Sequence, residues 1–131
     1  MEEKKITIEC KFHYFDYSEF DQPGLPGSGK EFMDTRLLMI LDNMRHRSKF
    51  SYKITSGYRS PEYNSTLKNS SPDSSHCKGK AADIYAANSL QKFSIIEAAL
   101  HFGIERIGVG AKFVHIDIDD KEKPAKVCWT Y

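Results

Sequence analysis

Cysteine is scarce in this sequence: the three residues, Cys10, Cys77 and Cys128, are odd in number and irregularly spaced. That excludes a disulfide framework and makes reduced thiols the default. Long apolar runs are missing as well, and no stretch approaches the roughly 20 residues a spanning helix needs, so no membrane span is expected. The opening "MEEKKITIEC" has no apolar core of a secretory signal. An excess of one charge is also lacking, since Lys+Arg 19 against Asp+Glu 18 leaves a net charge of +1. Such a balance gives no basic field for nucleic acid or an anionic membrane surface. Internal repeats and low-complexity tails are absent.

What remains is a chain of 131 residues, 40% apolar and 28% charged. That is enough for one hydrophobic core and too little for two, so a single domain over residues 1–131 is expected.

The stretch "GLPGSGK", residues 24–30, fits the phosphate-loop pattern up to its last position. Its context argues against a nucleotide. Glu31 stands where a hydroxyl should hold Mg²⁺, and the preceding "YSEFDQP" is polar rather than a buried strand. Ser28 and Glu31 instead have capping-box spacing. Met33, Leu37, Ile40, Leu41 and Met44 follow at helical intervals, which predicts one helix over about residues 29–47.

Elsewhere, "KKITIEC" alternates as a strand, as does "FSYKITSGY", with Phe50, Tyr52 and Ile54 on one face. Ser60 and Pro61 begin a short helix. "GKAADIYAA" reads as a strand. Ser89 opens a helix whose Leu90, Phe93, Ile96 and Leu100 form the expected buried stripe, ended by Gly103. The strands "RIGVG" and "KFVHIDI", a charged turn "DDKEKP" and a terminal "KVCWTY" complete the chain. Strands and helices mix without regular alternation, so the class is α+β.

Chemistry concentrates in "SSHCKGKAADIY". His76 and Asp83 offer an imidazole nitrogen and a carboxylate oxygen to a divalent metal, joined by a segment that can fold at Gly79. Ala81 and Ala82 are small enough for the backbone to pass close to a site. A catalytic zinc takes three protein ligands and keeps one position open. His115 is the best third candidate, because an unpaired imidazole is costly to bury in an otherwise apolar strand. Cys77 is adjacent to His76, but neighbours on an extended chain point to opposite sides, which disfavours a Cys/His nucleophile. His13, His46 and His101 lie outside these blocks and read as structural or surface residues. Tyr58, Tyr85, Phe113 and Trp129 are aromatics that could line a cleft, although core packing is the commoner use.

Ser74-x-His76-x-x-Gly79-x-Ala81-x-Asp83 resembles the signature of the zinc D-alanyl-D-alanine carboxypeptidases and their endolysin relatives, a metallopeptidase group that shares its fold with the hedgehog signalling domain. With five positions fixed, chance gives such a match on the order of once per million starting points. "SEFDQPGLPGSGKEFMDTRLLMILDNMR", "ITSGYRSPEYN", "IGVGAKFVHIDI" and "WTY" resemble the family's successive blocks in order. The resemblance implies a small antiparallel sheet flanked by helices and a zinc held by His76, Asp83 and His115. It also implies that Arg59 binds the substrate's carboxylate or the oxygen that becomes an oxyanion, a task suited to a planar guanidinium. Ser74 is expected to orient a ligand. The implied activity is hydrolysis of an amide bond in peptidoglycan stem peptides, by a carboxypeptidase or an endopeptidase. The alternative is a zinc-containing binding module without turnover.

One departure matters. Many relatives carry a carboxylate or His shortly before the last zinc histidine as general base, whereas here Lys112 stands three before His115 and the nearest preceding acid is Glu105. Asp117 shares a strand face with His115 and is a candidate for that base or for orienting the imidazole; Asp119 is a weaker one for either role. Without a signal peptide, the expectation is a protein made in the cytoplasm that reaches the cell wall by other means, as a phage- or prophage-encoded lysin would.

Overall fold

The computed structural model describes residues 12–121 and 123–131; the expected strand "KKITIEC" and Cys10 lie outside them. Five strands, β1 (Ile54–Ser56), β2 (Ala81–Tyr85), β3 (Arg106–Val109), β4 (Phe113–Asp117) and β5 (Val127–Thr130), form one sheet in the order β1-β2-β4-β3-β5. Helices α1 (Ser28–Phe32), α2 (Thr35–Ser48), α3 (Pro61–Ser65) and α4 (Ser89–His101) complete an α+β architecture. Four strands pair antiparallel, as the resemblance implies, and β5 joins β3 in parallel, so the sheet is mixed. The register gives the reason. Asp117 and Val127 both lie opposite Arg106, so β4 ends and β5 begins on either side of the same end of β3, and β5 runs alongside β3.

Strand alternation divides the sheet into two chemically distinct faces. Ala82, Ile84, Ile107, Val114 and Ile116 are buried in the core with Leu37, Leu38, Leu41 and Met44 of α2 and Ile95, Ala98 and Ala99 of α4. The residues between them, Asp83, Arg106, Gly108, His115 and Asp117, line the other face.

Four expectations change. The single helix over 29–47 is two, because Met33 is extended and Asp34 caps α2 by accepting from the Arg36 backbone N–H at 2.9 Å. The Ser28 capping box does not form. Gly27 holds the cap position, and Ser28 is buried with its Oγ accepting from the Gln22 N–H at 2.9 Å. On α4, Leu90, Phe93 and Leu100 are 74%, 68% and 61% exposed. This helix is apolar on two sides, and the side with Ala98 and Ala99 docks because small residues permit close approach to α2 and β4. In "FSYKITSGY" only Ile54–Ser56 pairs as strand, although Tyr52 is buried and Phe50 and Ile54 pack on the core.

The phosphate-loop look-alike is closed from within. The Asp21 carboxylate accepts from the Gly27 and Gly29 N–H groups at 3.1 and 2.7 Å, the kind of donors a phosphate would need. A 3₁₀ turn at Tyr17–Phe20, not a buried strand, precedes it.

Candidate metal centre

His76 arrives on a single 3₁₀ turn, Ser75–Lys78, whose cap is Ser74: its Oγ accepts from the His76 backbone N–H at 3.3 Å. Ser74 therefore acts on the turn that carries the imidazole. The turn ends at Gly79, whose φ of +68° is left-handed and whose missing side chain leaves room for the Phe32 carbonyl. The Gly79 carbonyl accepts from the Asp34 N–H at 2.8 Å, which anchors the turn to the junction between α1 and α2.

Two strands later, register completes the group. Asp83 on β2 lies opposite His115 on β4, His115 opposite Gly108 on β3, and Gly108 opposite Trp129 on β5, a single row across the sheet. A Cβ on Gly108 would lie 2.6 Å from the Trp129 indole nitrogen, so glycine here lets the indole lie over the strand. The ring centres of Trp129 and His115 are 5.5 Å apart.

His76, Asp83 and His115 are buried, and each offers a ligand atom within 4.8 Å of the others. Asp83 Oδ1 is 3.3 Å from His76 Nε2 and 2.8 Å from His115 Nδ1. The far nitrogens are already held: His76 Nδ1–H donates to the Gly57 carbonyl at 2.7 Å, and His115 Nε2–H to Asp117 Oδ2 at 2.7 Å. Nε2 of His76 and Nδ1 of His115 are therefore the inward nitrogens: both face Asp83 here, and they are the ones free to turn a lone pair to a metal ion while the outer partners hold the rings. Two imidazole nitrogens and a carboxylate oxygen are a donor set that suits zinc, so the residues present fit the ion that the resemblance implies.

Electrostatics agree. Burial raises the Asp83 pKa, but the His115 and His76 imidazoles outweigh it and hold the carboxyl well below its ordinary range. Burial pushes the His115 pKa down, yet hydrogen bonds to Asp117 and Asp83 raise it above the usual imidazole value. Both directions describe a pocket that favours positive charge.

Arg59 sits beside this group. Its Nη2 is 3.6 Å from Asp83 Oδ2, its Nε donates to Ser56 Oγ at 3.0 Å and its Nη1 to Asn64 Oδ1 at 3.3 Å. The buried Asn64 donates in turn to the Ser71 carbonyl at 2.8 Å. Arg59, His76, Asp83 and His115 line a cleft of about 500 Å³ with Phe113, Trp129 and Tyr131 on its wall. Of the four aromatics considered from sequence, Phe113 and Trp129 reach this cleft. Tyr58 stacks on Phe32 at 4.5 Å, and Tyr85 is 41% exposed elsewhere.

Asp117 has both oxygens engaged. Oδ2 faces His115, and Oδ1 accepts from Arg106 Nε at 2.7 Å and from the Asp119 N–H at 3.1 Å. Asp119 is fully buried and accepts from Ser75 Oγ, Lys78 Nζ and Lys123 Nζ at 2.7, 3.0 and 3.2 Å. It ties the His76 turn to the end of β4. Lys112 turns away and donates to the Ala87 carbonyl at 3.1 Å, and exposed Glu105 does not line the cleft. Cys77 is no nucleophile partner for His76, whose two ring nitrogens face Gly57 and Asp83; burial pushes its thiol pKa up.

Sequence reasoning missed Arg106, Asn64 and Ser56. Alternation in "RIGV" puts Arg106 on the face opposite Ile107, but only the strand register reveals Asp117 as its partner.

A search of curated proteins returns no match. The family model described as Peptidase M15 matches residues 14–117, which include the whole His76, Asp83, His115 group and Arg59. The chain belongs to the Peptidase M15 family, which includes D-Ala-D-Ala carboxypeptidases and endolysins.

Proposed function

We propose that this chain is a zinc-dependent peptidase that hydrolyses an amide bond in peptidoglycan stem peptides, one that involves a D-amino acid. The observation that carries the reading is the convergence of His76, Asp83 and His115 in a cleft that also presents Arg59. A zinc ion held by these three residues supplies Lewis acidity toward the scissile carbonyl and toward water. Arg59, pre-oriented by Ser56 and Asn64, binds the substrate's terminal carboxylate or the oxygen on which negative charge grows. Asp117 keeps a proton on His115 Nε2, so that Nδ1 remains a lone-pair donor. Between its two candidate roles, the engagement of both its oxygens favours orientation over proton abstraction. Phe113, Trp129 and Tyr131 give the cleft an aromatic wall.

The test is mass spectrometry of muropeptides after purified peptidoglycan is incubated with the zinc-loaded protein, with a chelator and His76→Ala as controls. New products that vanish in both controls are expected, and their masses separate loss of a terminal alanine from an internal cut. A second reading, a zinc-containing wall-binding module without turnover, is favoured by two observations: both Asp117 oxygens are engaged, and Lys112 occupies the upstream position. Retained zinc and wall binding with no products from several wall types would select it.

A further inference from the structure

Behind the three inward-facing groups stands one guanidinium with three attachments. Arg106 Nε donates to Asp117 Oδ1 at 2.7 Å, Nη1 donates to the Pro124 carbonyl at 2.6 Å, and its central carbon lies 5.2 Å from the centre of the Trp129 ring. The first holds the carboxylate whose other oxygen meets His115 Nε2 at 2.7 Å. The second pins the segment between β4 and β5. The third sits under the indole whose ring centre is 5.5 Å from that of His115. One planar side chain thus sets what the imidazole donates to and what it packs against.

We propose that Arg106 is a positioning residue for the metal centre: by fixing Asp117 and the Pro124–Trp129 segment it holds His115 with Nδ1 turned toward Asp83 and His76. This rests on the reading that those three residues hold a metal. The chemistry favours arginine over lysine. Two donors from one rigid fork meet two acceptors on different segments, and the flat face supports the indole, whereas an ammonium is a point charge on a flexible stem. Because the Asp119 N–H also donates to Asp117 Oδ1, at 3.1 Å, loss of Arg106 loosens the carboxylate without freeing it, so the effect is graded.

The test is zinc affinity, measured by competition with a chromophoric chelator, for the full chain, Arg106→Gln, Arg106→Lys and Leu41→Ala, with circular dichroism as a check of folding. Arg106→Gln is expected to weaken zinc about 10–100-fold, the usual effect of removing support behind a ligand. Arg106→Lys recovers part of the loss. Leu41→Ala, a core variant remote from the site, is expected to keep wild-type affinity while losing stability. Wild-type affinity in Arg106→Gln would overturn the proposal, as would an equal loss in Leu41→Ala, since the effect would then be general destabilisation. If Arg106→Gln does not fold, Arg106→Lys decides: weaker zinc supports the proposal and unchanged zinc overturns it. A wild-type chain that binds no zinc overturns both the metal reading and this one.

Discussion

The two faces of the sheet solve opposite problems with the same strands. Toward α2 and α4, Ile84, Ile107, Val114 and Ile116 bury apolar surface and need only volume and shape. Toward the cleft, Asp83, Arg106, His115 and Asp117 are also removed from water, yet each is polar and stays there because a specific partner compensates its desolvation. One face therefore tolerates similar residues in exchange, while the other works as a connected set in which each loss exposes a neighbour.

Several substitutions would sharpen that contrast. His115→Ala has the largest expected effect: it removes one of the three candidate ligands and the partner of both Asp83 and Asp117, so zinc binding and the proposed peptidase activity should both fall below detection, read by chelator competition and muropeptide release. If the guanidinium serves the reacting oxygen rather than the ion, as proposed, Arg59→Ala should lower kcat/KM about 10²–10³-fold while zinc affinity holds. On the apolar face, Leu41→Ala should cost about 2–5 kcal/mol in urea unfolding and leave zinc affinity intact.

A smaller effect is one of pH. Burial pushes the Tyr52 hydroxyl, bonded to Ser48 Oγ at 2.5 Å, from 10.0 up to about 12. Because the folded value is the higher one, the stabilisation is complete below pH 10 and is lost as pH rises toward 12. Unfolding measured across that window should show stability falling with pH, with a shallower slope in Tyr52→Phe. Smallest of all, Phe93→Ser on the exposed side of α4 should change stability by no more than about 0.5 kcal/mol, where the sequence pattern alone predicts a core residue.

That last case shows where the sequence was legible and where it was not. His76, Asp83 and Arg59 sit in short motifs whose residue types carry their chemistry, and His115 stood out as a polar residue in an apolar strand. The α+β class followed from mixed periodicities. Periodicity on α4 named apolar residues but not the docking face, because Ala98 and Ala99 offer close approach that no hydrophobicity pattern records. The break between α1 and α2 depends on Asp34, which caps α2 locally through the Arg36 N–H but whose own N–H is held by the Gly79 carbonyl, on a turn 45 residues on. Arg106 was silent for the same reason: its meaning is its partners, and β3, β4 and the Pro124 segment meet only in the fold.

The row Asp83, His115, Gly108, Trp129 has a consequence for spectroscopy. The chain contains one tryptophan, and it lies 5.5 Å from the imidazole at the centre of the candidate site. Its indole emission therefore arises from one address, with no second fluorophore of its kind to dilute the signal. Any event that alters the charge on that imidazole, the tilt of that ring or the water at that wall is written into the intrinsic fluorescence of the unlabelled protein.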